Sequence, residues 1–485
     1  MSATLLHGGQ LLSDDGGSLH AADVLLRDGV IAAVGAPGLQ ALDAQRIDAA
    51  GCLVLPGLRN GHTHAHGALA RGAVPDRISL EGFLAHAPAL IGQRTLDDIR
   101  LSATLTAVEL ARHGCTACID MAGELPSPSV EGILAVGQAY ADVGIRAVIA
   151  PMVSDRSLYQ AYPALTASLP SALRAQAEAF APPRARELLA VLREAQERWP
   201  FDRDRVQLGV GPAIPLHCSD ELLAGCGALA REFDVPLQTH LLESRLQALA
   251  QGGVESTVAR LARLGCLTPR TSLAHGVWLD DEDLARVAAS GATLVHNPSS
   301  NLRLGSGLAR LRAWLDAGAR VALGTDASNT SDGQNLFEAT RLASYLSRVA
   351  TPDWQRWIDA PQAFALATGG ARVQAGERAD LVLLDLAQPH YVPLRHPLRQ
   401  LVFGETGAGV RRVLVAGRTV FADGRVTGID EAALRQRAQE RAAALDAACA
   451  PAADWAHSAL PALAAFCCGA QPIAFPREPE QDPAS

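Results

Sequence analysis

The chain of 485 residues contains no lysine, so all 42 of its Lys+Arg residues are arginine. That excludes every lysine-based chemistry, from Schiff bases to the carbamylated lysine that bridges two metals in some hydrolases. No apolar run approaches the roughly 20 residues that a bilayer span takes. The start, Met1-Ser2-Ala3-Thr4-Leu5-Leu6, lacks the basic n-region of a signal peptide. No basic patch interrupts the net charge of −9, which argues against a nucleic-acid partner. The nine cysteines are odd in number and scattered, as expected of reduced thiols rather than a disulfide framework. These absences predict a soluble cytoplasmic protein that acts on a small molecule, not on a membrane or a nucleic acid. With 48% of the residues hydrophobic, the chain can bury a sizeable core.

The first 56 residues read as short strands and turns. Asp23–Gly35 has the pattern of a hairpin with Asp28-Gly29 at its tip. A second all-β stretch, in Ala379–Asp385 and Val413–Val420, lies near the other end. Between them strand-like and helical runs alternate as an α/β barrel requires. The candidate strands end at His64, Asp120, Pro151, Pro212, His240, His275, His296 and Asp326, and the helical runs include Leu96–His113, Asp220–Phe233, Asp281–Ser290 and Leu308–Ala317. The expected fold is α/β: a (β/α)8 TIM-type barrel over residues 57–370. A small composite β-sandwich is expected from residues 1–56 and 371–427, and a C-terminal helix with a flexible tail from 428–485. The long connection from Ser154 to Pro183, with Tyr159 and Tyr162, is expected to be a lid. The helix Glu431–Cys449 is expected to be followed by a frayed tail, Arg477–Ser485.

His62 and His64 stand two apart on one strand and can face the same side, while His240, His275 and Asp326 close later strands. Imidazoles and a carboxylate gathered at the carboxyl ends of barrel strands suit a divalent metal and its water. A bound ion brings the pKa of water near neutrality. Asp326 can bind the ion and accept a proton. Glu243, three residues beyond His240, can shuttle a proton to a leaving nitrogen, and His275 can donate to an oxygen as it gains charge.

With these residues in hand, the chain resembles the amidohydrolase superfamily in its branch of single-metal deaminases and chlorohydrolases, including S-adenosylhomocysteine/methylthioadenosine deaminase-like proteins. The resemblance rests on Pro56–His64, His240-Leu241-Leu242-Glu243-Ser244, Ala274-His275-Gly276, His296–Gly307 and Leu323-Gly324-Thr325-Asp326, and spans roughly residues 20 to 427. It implies His62, His64, His240 and Asp326 as ligands of one divalent ion per chain, zinc or else iron(II). It also implies Glu243, His275 and Asp326 as catalytic residues. Binuclear relatives place lysine or glutamate on the fourth strand, where Gln207–Gly211 offers neither. The implied activity is hydrolytic deamination of an aminated heterocycle through metal-bound hydroxide; hydrolysis of an acyclic amide, urea or carbamate is the alternative. We expect a homo-oligomer, a dimer or higher. Members that deaminate adenosine-like nucleosides carry polar contacts where this chain has Ala213, Pro151 and the stretch Ile91-Gly92-Gln93.

Other residues are candidates for substrate contact. His66 continues the alternation of His62 and His64, His217 follows the fourth strand, His296 ends the seventh, Trp278 could stack on a planar ring, and Tyr159 lies in the long connection. Cys115 and Cys118 form a lone C-x-x-C inside a strand, which argues for packing. The paired H-x-E and P-C-x-x-C signatures of cytidine deaminases are absent.

Overall fold

A computed structural model describes residues 3–251 and 255–469. Four parallel strands, Leu58–His64, Cys115–Asp120, Arg146–Ile149 and Val206–Leu208, lie side by side in that order. Four more, Leu237–Leu241, Thr271–His275, Thr293–His296 and Arg320–Leu323, continue the series. Two seams close the ring. At one, the Gln238 amide donates to the Val210 carbonyl at 3.0 Å, and at the other the Thr325 amide donates to the His62 carbonyl at 3.1 Å. Beyond the second seam, Asp326 and Ala327 pair with Thr63 and His64. This is the expected (β/α)8 barrel. The fifth and sixth strands are buried along their full length, as strands covered on both faces must be.

Helices follow the expected runs with trimmed ends: Leu96–Arg112, Asp220–Glu232, Asp281–Ser290 and Leu311–Asp316. Leu96–Arg112 starts on a capping box between Thr95 and Asp98, which satisfies its first amides. The third, fourth and eighth strands are interrupted and resume as Met152–Val153, Gly211–Pro212 and Asp326–Ala327. These breaks turn the strand ends towards the barrel mouth. Cys115 and Cys118 are buried free thiols, both pushed well up by burial.

The composite sheet is one hydrogen-bonded system of nine strands built from both ends of the chain. The hairpin Leu19–Arg27 with Val30–Gly35 turns at Asp28 and Gly29, both at positive φ (50° and 82°) as a tight primed turn requires. Cys52–Pro56 joins the two halves, with Leu53 opposite both Gln10 and Leu384. The sheet has its own core, in which Leu6, Leu26, Val54, Leu383 and Leu414 meet.

The connection from Ser154 to Pro183, expected as a lid, folds into three short helices, Leu158–Ala161, Pro163–Ser168 and Ser171–Ala179. One region departs from expectation. The C-terminal helix does not stop at Cys449 but runs from Glu431 to Gly469, through Pro451 and Pro461. A proline inside a helix removes a hydrogen bond and costs about 3 kcal/mol. Packing offsets that cost here. Leu445, Cys449, Ala456, Ala459 and Leu463 are buried, and with half-buried Ala452 they recur at alternating spacings of four and three, one stripe turned towards the protein. The stripe meets Leu69 and Leu101 at one end and Leu158, Tyr162 and Leu165 at the other. The expected tail Arg477–Ser485 lies outside the described residues.

Candidate active site

The site sits at the carboxyl ends of the barrel strands. His62 and His64 share one face of the first strand, and their rings meet edge to face at 4.6 Å. His240 closes the region of the fifth strand and stacks on His64 at 5.1 Å. His275 and Asp326 sit where their strands turn, at φ of 76° and 61°, values that non-glycine residues adopt at a cost of about 1–3 kcal/mol. Gly324 permits the last turn: a Cβ there would collide with Asn297 Oδ1 and lie 3.0 Å from the His62 nitrogen.

Neighbouring oxygens fix how the imidazoles are protonated. His64 Nδ1 donates to the Met121 carbonyl at 2.7 Å, and His240 Nδ1 donates to the Ala213 carbonyl at 2.6 Å. His62 Nδ1 faces Gln238 Oε1 at 3.0 Å, and the Gln238 amide nitrogen is already committed to Gly61 O and Ser272 Oγ. All three rings therefore point an Nε2 lone pair into the site. Burial, then the neighbouring His62, lowers the His64 pKa to about 4, and burial holds His240 well below its ordinary value. Two lone pairs, on His64 Nε2 and His240 Nε2, stand only 3.1 Å apart, and His62 Nε2 is buried without a partner. Such an arrangement needs a cation between the nitrogens.

Spacing tests the fit. Asp326 Oδ1 lies 3.5 Å from His62 Nε2 and 3.3 Å from His64 Nε2. Four ligands at the roughly 2.0–2.1 Å bond lengths of a tetrahedral zinc site stand about 3.3–3.4 Å from one another. These two separations, and the 3.1 Å between His64 Nε2 and His240 Nε2, fall close to that spacing. Burial alone would raise the Asp326 carboxyl, but the imidazoles of His62, His64 and His275 beside it prevail and hold it well below its ordinary value.

Glu243 and His275 complete the cluster. His275 Nε2 stands 3.5 Å from Glu243 Oε2 and 3.8 Å from Asp326 Oδ2, while its Nδ1 faces Asn301 Oδ1 at 2.8 Å. Burial, with the negative charge of Asp326 beside it, pushes the Glu243 carboxyl well up. The two neighbouring carboxyl groups are thus shifted in opposite directions. Behind them, Gln334 ties the first and eighth strands together: Thr63 and Thr325 donate to its Oε1, and its Nε2 donates to the Asp326 carbonyl at 2.8 Å.

Of these residues, His64, His240, Glu243 and Asp326 open onto a cavity of about 560 Å³. His66, His217 and Tyr159 line it. His66 does not continue the strand, because residues Ala65–Ala70 tighten into a 3₁₀ turn; its Nδ1 accepts from the Gly123 amide at 3.0 Å. His217 is buried, its Nε2 unpaired and its pKa lowered by burial to about 4. Trp278 is not in the cavity wall, since its indole N–H is spent on the Ser306 carbonyl at 2.8 Å and its ring packs in the core. His296 is likewise outside the wall, buried edge-on against Trp314. The sequence reading missed the contribution of the C-terminal helix, from which Pro451, Ala452 and Trp455 line the cavity. The alternating stripe from Leu445 to Leu463 was the signal that could have found it.

Residues 53–420 match the model of the amidohydrolase family. The chain is 32% identical over 447 residues to a 5-methylthioadenosine/S-adenosylhomocysteine deaminase of Syntrophobacter fumaroxidans, covering 88% of this chain and 94% of the relative. It is 30% identical to a 5'-deoxyadenosine deaminase of Methanothermobacter thermautotrophicus, with 91% and 98% covered. Among solved structures, it is similar to a zinc complex of atrazine chlorohydrolase from Arthrobacter aurescens, at a TM-score of 0.78 and 26% identity, with 91% and 100% covered. A zinc-bound adenosine deaminase from Xanthomonas campestris shares the fold at a TM-score of 0.78 and 24% identity, with 92% and 98% covered.

Proposed function

The chain belongs to the amidohydrolase family, and from that premise we propose that it is a zinc-dependent hydrolase that deaminates an aminated heterocycle at an N=C–NH2 carbon. The observation that carries the reading is the placement of two carboxyl groups about one imidazole, with Glu243 Oε2 at 3.5 Å and Asp326 Oδ2 at 3.8 Å from His275 Nε2, the first pushed up by burial and the second held low. His62, His64, His240 and Asp326 would hold one ion. Such an ion, when bound, supplies the Lewis acidity that makes water a nucleophile at neutral pH.

The side chains then move the protons. Asp326 takes one from the attacking water, and neutral Glu243 gives its own to the ring nitrogen, so that the carbon becomes electrophilic as the C–O bond forms. With the Asn301 amide turned so that its unpaired nitrogen donates to Nδ1, His275 presents Nε2–H to the new oxygen and steadies its charge. Asp326 next gives its proton to the amino group, ammonia leaves, and the hydroxyl proton returns to Glu243. The sum is N=C–NH2 plus water giving HN–C=O plus ammonia, with both carboxyl groups restored.

Where nucleoside-type relatives carry polar contacts, Ile91 and Ala213 put apolar side chains on the cavity wall, which supports a base without a sugar. Elemental analysis of purified protein beside ammonia release from aminated purines, pterins, pyrimidines and triazines tests the reading. About one zinc per chain with ammonia released is the expected result. No ammonia from any of them would sink it, and a substituted amine released from an amide, urea or carbamate would establish that alternative instead.

A further inference from the structure

The cavity is far larger than a heterocyclic ring needs, and its outer part has a different chemistry from its floor. Outside the cluster at the strand ends, Glu124 and Arg156 are the charged residues among its lining. Glu124 is tied to the Ser129 amide and hydroxyl at 2.8 Å each, and Arg156 is exposed at the rim. Ser127, Ser154, Ser157 and Gln176 add uncharged polar groups, and the larger side chains of that wall are apolar or aromatic. Phe83 and Leu84 come from the short helix Leu80–Ala85, Tyr159 and Phe180 from the 154–183 segment, and Trp455 from the C-terminal helix.

Trp455 and Tyr159 meet edge to face at 5.6 Å, so the contact joins the C-terminal helix to the segment between the third and fourth strands. The contact is held in place from both sides. Below it, Leu158, Leu165, Ala459 and Leu463 form a buried cluster, and Cys449 Sγ reaches the Gly92 carbonyl at 3.5 Å. Further along, Arg441 grips Asp98 with two hydrogen bonds, at 2.6 and 2.9 Å. The aromatic pair is a fixed wall.

Building on the deaminase reading, we propose that the outer cavity is a subsite for an uncharged apolar substituent, alkyl or aryl, on the substrate ring, and that Trp455 of the C-terminal helix is its specificity-determining residue. A substituent reaching this wall gains affinity with each buried methylene, up to about fourfold per carbon. An anionic substituent finds no buried cation there, and the sole positive side chain in the lining lies at the rim.

The test measures binding apart from turnover. Dissociation constants are taken by calorimetry for two series that lack the reactive amino group, 9-alkylpurines and monoalkylated 1,3,5-triazines, each with methyl, butyl and benzyl groups. The zinc-loaded native chain is compared with Trp455→Ala, Trp455→Phe and the remote Trp354→Ala. We expect at least about tenfold tighter binding from methyl to benzyl in the native chain and in Trp354→Ala. The gain should largely persist in Trp455→Phe and fall to about twofold in Trp455→Ala. Affinity that is flat in both series, or that rises equally in Trp455→Ala, overturns the subsite. The amino-bearing counterparts are scored for ammonia in parallel. A chain-length gain without ammonia supports the subsite while defeating the deaminase reading; ammonia with flat affinity does the reverse.

Discussion

The floor and the outer wall of the cavity are built on opposite plans. At the floor, each functional side chain comes from a barrel strand end and is oriented by a hydrogen bond to its far side, as Met121, Ala213 and Gln238 orient the three metal-facing imidazoles. The outer wall has almost no such bonds. It is assembled from three segments far apart in sequence, and apolar packing holds it. Directional bonds fix atoms to the tolerance that proton transfer demands, whereas packing fixes a shape that can be recut without disturbing the chemistry.

That contrast can be broken at the floor first. Asp326→Ala removes a ligand and a proton acceptor together, and should lower kcat/KM by at least about 10³-fold with loss of bound metal. Activity that survives with metal retained would separate Asp326 from the centre. Glu243→Gln should lower kcat by about 10²–10⁴-fold while metal content stays constant, because the glutamate handles protons without holding the ion. The raised pKa of Glu243 sets the sign of the pH profile: the neutral acid persists above its ordinary range, and activity falls as pH climbs through the raised value. In Glu243→Gln that limb should vanish.

At the wall the effects are smaller and of another kind. Arg441→Ala should lower the unfolding free energy at pH 7 by a small amount, with kcat little changed. Burial alone would raise the Asp98 carboxyl, but its bonds to Arg441 and Thr95 bring it down to about 2. Its stabilising contribution is complete above the ordinary value of 3.8 and fades as pH falls through about 2. Denaturant melts of native and variant protein should therefore converge in strong acid. The smallest effect is expected for His66→Ala, about tenfold or less in kcat/KM with metal unchanged. Loss of metal in that variant would enlarge the ligand set.

The same contrast explains what could be read in advance. His62, His64, His240, His275 and Asp326 each lie at the end of a strand-like run, so local pattern and chemistry coincide, and the structure brings all five together. His66 departed from its expected alternation because strand pairing ended at His64, which two-residue periodicity alone does not reveal. Trp278 looked available until the position of the Ser306 carbonyl, a tertiary fact, was known. The C-terminal wall was hidden for a different reason. Half of its inward stripe is alanine, only weakly apolar, and Pro451 breaks the helical pattern that packing carries through.

The seam at Leu53 and Leu384 also sets a clock. At roughly 5–20 residues per second, ribosomal synthesis leaves roughly 15–65 s between the emergence of these two strands. Throughout that interval Cys52–Pro56, a wholly buried apolar segment of the finished protein, presents an open edge that another nascent chain can pair with. Slower growth or a lower expression temperature changes how many neighbours meet that edge before its own partner arrives, and the yield of native enzyme follows from that race.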